Sequence, residues 1–226
     1  LKQLLHEGTA ECTDFYSPDS IDLSLVHAVH TVSYVKALTE LTLDAKAVRS
    51  IGFPLSAALV ERELRIAQGT VVGCNHALEH GIAFNIAGGT HHAFSDRGEA
   101  FCLLNDQAIA AQYLINQKKC HKILIVDLDV HQGNGTAEIF QNNADVITFS
   151  MHGQSNYPFR KETSDYDIAL PDKTDDTTYL SILQETLPEL LNIHRPDFVF
   201  YLAGVDILGT DKLGKLGCTL EGCKTR

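Results

Sequence analysis

No stretch of this chain stays apolar for the roughly 18 residues that a membrane-crossing helix needs. No basic-then-apolar leader opens it, which argues against a signal peptide. Internal repeats, low-complexity tracts and Pro/Gly/Ser linkers are also missing. That leaves one domain over residues 1–226, a size that single domains commonly reach. Basic residues are outnumbered: 18 Lys and Arg face 29 Asp and Glu, for a net charge of -11. This balance argues against a basic face for nucleic acid. It suits a cationic substrate, such as a lysine-rich tail or a polyamine, and equally an acidic surface that only aids solubility. The six cysteines, Cys12, Cys74, Cys102, Cys120, Cys218 and Cys223, form no C-x-x-C pair. A thiolate zinc site and a dense disulfide framework are therefore not expected. The expectation is reduced, buried thiols in a cytoplasmic protein, with Cys218 and Cys223 the one pair placed to bridge. The chain opens at Leu1 rather than at a methionine, so residues are expected to precede it.

What is present is an ordinary globular composition, 44% hydrophobic. Apolar residues at three- and four-residue steps predict a helix over Leu25–Leu41. A second is expected over Leu55–Ala67, with Pro54 in its first turn. Val71–Ile86 is ambiguous. Ala108–Asn116 reads as a helix capped by Asn105 or Asp106, and Asp175–Ile193 as a long helix that Pro188 could kink. Short apolar runs at Ile123–Val126, Val146–Phe149 and Phe198–Leu202 read as buried parallel strands. Strands alternating with helices predict an α/β domain with a mainly parallel central sheet flanked by helices. Sites in such sheets form beyond the carboxyl ends of the strands. The residues there are Asp127-Leu-Asp-Val-His131, Ser150-Met-His152 and Ala203-Gly-Val-Asp206.

Asp127, Asp129 and His131 alternate, and residues two apart in extended backbone point to one side. Asp129 and His131 can therefore reach one metal ion, and Asp206 can supply a third ligand from another strand. Such a set leaves coordination positions open, as a hydrolytic metal requires. The bland alternative is acids that cap loops and a histidine satisfied in the core. Gly88-Gly89-Thr90-His91-His92 suggests a tight turn that presents two imidazoles, the commonest acid/base groups. It could equally be a surface pair. The Gln132-Gly133-Asn134-Gly135 run would let backbone pass close to the metal, or serve only as a loop into a helix at Thr136.

Together GGTHHA (88–93), RGEAFCLLND (97–106), DLDVHQGNG (127–135) and AGVDILGTDKLG (203–214) closely resemble the histone deacetylase family, and look most like its class IV and bacterial members. The resemblance runs from about Ser24 to Arg226. It implies an arginase-like deacetylase fold and a catalytic Zn2+, for which Fe2+ or Co2+ could substitute. The implied metal ligands are Asp129, His131 and Asp206. His91 and His92 match the tandem histidines, with His92 as general base toward the attacking water and Asp127 as the carboxylate behind His91. Phe101, Tyr157 and Leu213 match the walls and rim of an acyl-lysine tunnel. Ser150, with the backbone of Asp127, Asp129, His131 and Met151, matches a structural K+ site. The implied reaction is hydrolysis of the acetyl amide of an acetylated lysine peptide, with a protonated histidine releasing the amine. Rival readings are an acetylated-polyamine deacetylase on the same scaffold and a silent acyl-lysine-binding protein. A binuclear manganese arginase is disfavoured, because Gly133 stands where D-x-H-x-D needs its last carboxylate.

Three departures stand out. Ala100 replaces a glycine common in the family. Asn134 replaces the acid that class I members carry behind the second histidine, and should raise the His92 pKa less than a carboxylate would. The family's N-terminal strand and its later Gly-Gly-Tyr motif, whose tyrosine hydroxyl donates to the substrate oxyanion, do not occur within these 226 residues. Tyr201, inside a predicted buried strand, is a poor substitute for that donor, and Tyr157 is the one internal candidate. The 226-residue chain alone is therefore expected to bind metal, deacetylate poorly and associate.

Overall fold

Alternate residues of Ile-Leu-Ile-Val serve two different cores. Successive side chains on a strand point to opposite faces, so a strand covered on both faces must be apolar throughout. In β1 (Ile123–Asp127) every residue is buried. Ile123 and Ile125 enter one core, and Leu124 and Val126 the other. The computed structural model describes residues 2–226. Its sheet has four parallel strands in the order β3-β2-β1-β4, with β2 (Val146–Gly153), β3 (Tyr166–Leu170) and β4 (Phe198–Leu202). Asp127 pairs with Ser150 on one side and Leu202 on the other, so β1 and β4 end level with each other while β2 runs three residues further, to Gly153.

The helices are α1 (Lys2–His6), α2 (Leu23–His27), α3 (Val32–Thr39), α4 (Ala45–Ile51), α5 (Ala57–His80), α6 (Asp106–Asn116), α7 (Asn134–Phe140), α8 (Asp176–His194) and α9 (Leu220–Thr225). One face of the sheet packs against α5 and α6 through Val60, Ala67, Val71, Ile109 and Leu114. The other packs against α8 through Tyr179, Leu183 and Leu190. The result is a helix–sheet–helix α/β architecture. No helix among the described residues is long and apolar enough to cross a membrane.

The structure corrects several sequence expectations. The predicted Leu25–Leu41 helix is two helices, because the turn between them sends His30 into the core. Asn105 N–H donates to His30 Nε2 at 3.0 Å, and His30 Nδ1 lies 2.8 Å from the Phe94 carbonyl. Thr31 then caps α3. Pro54 precedes α5 rather than entering its first turn, where Ser56 is the cap. The ambiguous segment from Val71 continues α5 as far as His80. Gly69 and Gly73 weaken the helical signal there, while burial of Thr70, Val71 and Cys74 sustains the helix. Asn105 is the cap of α6, and α8 runs continuously through Pro188. Ser150, Met151 and His152 lie inside β2 rather than beyond it. Strand β3 escaped the sequence reading, since half-buried Tyr-Asp-Ile-Ala-Leu is a weak strand signal. Tyr201 is 48% exposed, not buried. All six cysteines are unpaired, four of them buried, with Cys12 exposed.

Candidate active site

Every proposed metal ligand sits just past a strand end. Asp127 closes β1, and the chain then folds so tightly that its own side chains hold it. Asp127 Oδ1 accepts from the Asp129 N–H at 3.1 Å, and Asp129 Oδ1 from the His131 N–H at 2.8 Å. From the end of β4, Asp206 Oδ1 accepts from the Val130 N–H at 3.0 Å, which ties the two loops together. His131 Nδ1 then lies 2.9 Å from Asp129 Oδ1 and 3.1 Å from Asp206 Oδ2. One donor atom from each of the three residues falls within 4.8 Å of the others. Two glycines make the approach feasible. A Cβ on Gly204 would collide with the Asp129 carboxylate, and one on Gly133 with that of Asp127.

This donor set fits a divalent cation. Two carboxylates and an imidazole suit zinc and its neighbours, and all three side chains are partly exposed. His131 Nδ1 faces both acids within hydrogen-bond reach. Burial pulls its pKa down, but the hydrogen bonds to Asp129 and Asp206 outweigh burial and push it up to about 9. Asp129 is held far below the usual carboxylate range despite its burial, by the His91 charge and by its bonds to His131.

The tandem histidines lie side by side, ring centroids 4.1 Å apart, and both are 5% exposed. Their partners differ. His91 Nδ1 is 2.6 Å from Asp127 Oδ2, whereas His92 Nδ1 is 2.6 Å from Asn134 Oδ1. Burial depresses both, but Asp127 and Asp129 reverse it at His91 and push its pKa up to about 9. At His92, burial and the adjacent His91 charge hold the pKa well below the usual value, and the Asn134 hydrogen bond does not reverse them. The acceptor at Asn134 Oδ1 fixes the His92 proton on Nδ1, which leaves Nε2 free to accept one.

The turn that carries the histidines hangs from Asp106, the first residue of α6. Its carboxylate accepts from Gly89 N–H (3.0 Å), Thr90 N–H (2.8 Å) and Thr70 Oγ1 (2.6 Å). Behind the pair, Thr136 N–H donates to the His91 carbonyl at 3.2 Å. Asp106 was not singled out in the sequence, where it reads only as a helix cap.

Of the expected tunnel residues, Tyr157 stands nearest the histidines. Its ring meets His92 edge-on, with centroids 5.0 Å apart. Its hydroxyl donates to Glu99 Oε2 at 2.7 Å, so that hydrogen is committed away from any oxyanion. Burial and the Glu99 bond raise the Tyr157 pKa, while a side-chain hydrogen bond with Asn134 works the other way. Phe101 is 54% exposed, has φ 69°, and packs on Phe53 at 5.1 Å. Leu213 is 66% exposed, and its carbonyl accepts from Asn156, next to Tyr157. Ser150 and Asp127 line one small cavity with Ile125, Gly133 and Thr148. Ser150 Oγ also lies 3.0 Å from His152 Nδ1, and Met151 is buried in the second core.

The sequence matches the histone deacetylase domain over residues 1–226. It is 48% identical to an uncharacterized protein of Picosynechococcus sp., over 99% of this chain and 74% of that one. It is 28% identical to histone deacetylase 2 of Arabidopsis thaliana, over 100% of this chain and 60% of that one. The crystal structure of an HDAC homolog from Aquifex aeolicus superimposes with a TM-score of 0.82 at 25% identity, covering 93% of this chain and 62% of that one. The chain thus spans between three-fifths and three-quarters of the length of these relatives. Its motifs, its parallel sheet and its whole-length match make it a member of the histone deacetylase family.

Proposed function

We propose that residues 1–226 form a single catalytic domain that hydrolyses the acetyl amide of N-acetyl-lysine with a zinc ion held by Asp129, His131 and Asp206. The observation that carries this reading is the cluster of three ligand atoms beside two buried histidines whose pKa values are pushed apart. Zinc held there would polarise the acetyl carbonyl and offset the charge developing on its oxygen. Iron or cobalt could take the same donors.

The residues divide the proton work. Environments that push two pKa values apart assign the acid and the base. His92, kept neutral, takes a proton from water at Nε2 while Asn134 holds Nδ1. His91, kept charged by Asp127, supplies positive charge and a proton as the amine leaves. A dication nearby would lower both pKa values, yet the difference in partners preserves their order. Phe101, Tyr157 and Leu213 would guide the acyl-lysine chain, and Asp127, Ser150 and their neighbours would hold a structural potassium ion.

The test is metal analysis of a protein long enough to carry the Gly-Gly-Tyr motif, followed by its turnover of acetyl-lysine peptides, longer acyl-lysine peptides and acetylated polyamines. Bound zinc and preferred turnover of the acetyl-lysine peptide are expected. In a full-length version, His92→Ala should lower kcat by about a hundredfold to ten-thousandfold, as loss of a general base does, with little change in KM. Preference for acetylated polyamines would move the substrate assignment. Metal binding without any turnover would leave an acyl-lysine-binding protein.

A further inference from the structure

Glu99 stands outside the metal cluster and the tandem histidines, and although it lies within the RGEAFCLLND stretch, the sequence assigns it no role. Its two oxygens nonetheless have different partners. Oε1 accepts from Arg97 Nε at 2.8 Å, and Oε2 from the Tyr157 hydroxyl at 2.7 Å, 58 positions along the chain. Arg97 is itself braced, with its guanidinium 3.6 Å from the centroid of the buried Phe94 ring and an ion pair to Asp96 at 2.9 Å. Tyr157 in turn lies edge-on to His92. An unbroken set of contacts therefore runs from Phe94 through Arg97, Glu99 and Tyr157 to the imidazole.

We propose that Glu99 is a positioning residue that acts on His92 through Tyr157, standing in at a distance for the carboxylate that Asn134 does not supply. This rests on reading His92 as the base. A neutral amide holds Nδ1 by one hydrogen bond, and the rest of the ring is placed by what packs against it. Beside His91, the Tyr157 ring packs edge-on against His92, with centroids 5.0 Å apart. A phenol held only by packing can tilt, whereas one whose hydroxyl donates to a carboxylate is fixed at its far end, and hydrogen bonds to charged acceptors are the stronger kind. A surface ion pair with Arg97 alone would be worth little and would not require the second oxygen on Tyr157.

The experiment is a double-mutant cycle on the zinc-loaded protein with Glu99→Leu, Tyr157→Phe and both together, plus Glu99→Gln. It reads kcat and KM on an acetyl-lysine peptide, and the His92 Nδ1–H resonance in protein carrying 15N-histidine. Glu99→Leu and Tyr157→Phe should each lower kcat roughly tenfold, within the range of couplings between contacting residues. The double variant should be no worse than either single one. Glu99→Gln, whose carbonyl still accepts the phenol hydrogen, should retain most activity. The His92 resonance should move in both single variants, and Glu99→Leu should add nothing when Tyr157 is already phenylalanine. Additive losses, an unmoved resonance, or a Gln variant as poor as the Leu variant would overturn the proposal. If a wild-type protein carrying the Gly-Gly-Tyr motif shows no turnover, the deacetylase reading fails, and the resonance still decides whether Glu99 acts on His92.

Discussion

At the scale of single residues, the His131 imidazole shares its proton with two carboxylates, and this sets how metal uptake depends on pH. Below about 9 the metal-free protein carries that proton, and an incoming cation must displace it. Zinc affinity should therefore rise by roughly tenfold per pH unit up to about 9 and then level off, as competition titrations against a chelator would show. Affinity independent of pH would mean that His131 is not a ligand. Asp206→Asn should weaken the site strongly while leaving the fold largely intact, since it removes one charge and one ligand oxygen, yet its remaining carbonyl can still accept from the Val130 N–H. Asn134→Asp should move the acidic limb of the pH–rate profile upward, because a carboxylate stabilises the His92 imidazolium. An unmoved limb would contradict the 2.6 Å contact. That Asp129, His131 and Asp206 come together was legible from their place after strand ends, although the backbone past Asp127 turns tightly instead of running on extended as the alternation argument assumed. Glu99 and Asp106 fall within a quoted motif, but their roles were not legible, because each depends on a partner distant in the chain.

At the scale of elements, α6 organises the site as well as the core. Its first carboxylate benefits from the positive end of the helix and accepts the two N–H groups that shape the turn before His91. Space is tight there, since a Cβ on Gly88 would lie 2.5 Å from Asp106 Oδ2. Asp106→Asn leaves one acceptor oxygen where two are used and turns an amide N–H toward a donor. A loss of about 1–3 kcal/mol is expected, read from denaturant unfolding, with a fall in kcat that exceeds any change in zinc affinity. Equal stability and activity would mean that the turn holds itself. Elements were legible where periodicity was strong, as in α6, α8, β1 and β4. They were misjudged where a polar residue is buried against its type, as His30 is between α2 and α3, or where a strand is short and broken by a charged residue, as β3 is by Asp167.

At the scale of the whole molecule, the sheet separates two cores that share no side chains. Ile109 on α6 lies in one and Leu183 on α8 in the other. Ile109→Val should cost about 0.5–1.5 kcal/mol and Leu183→Ala about 2–5 kcal/mol. Their effects should add to within about 0.5 kcal/mol, as they do for sites without common partners. A large coupling would show that the sheet transmits strain from face to face. The same architecture bears on when the protein can acquire its metal. Two ligands follow β1 and the third follows β4, and the loops are joined by a bond spanning 76 positions. Neither half of the chain can chelate alone, and closing so long a loop is slow. During refolding, zinc capture should thus lag behind helix formation and keep a rate that excess zinc cannot hasten. A fluorescent chelator would then serve as a stopwatch for the docking of β4.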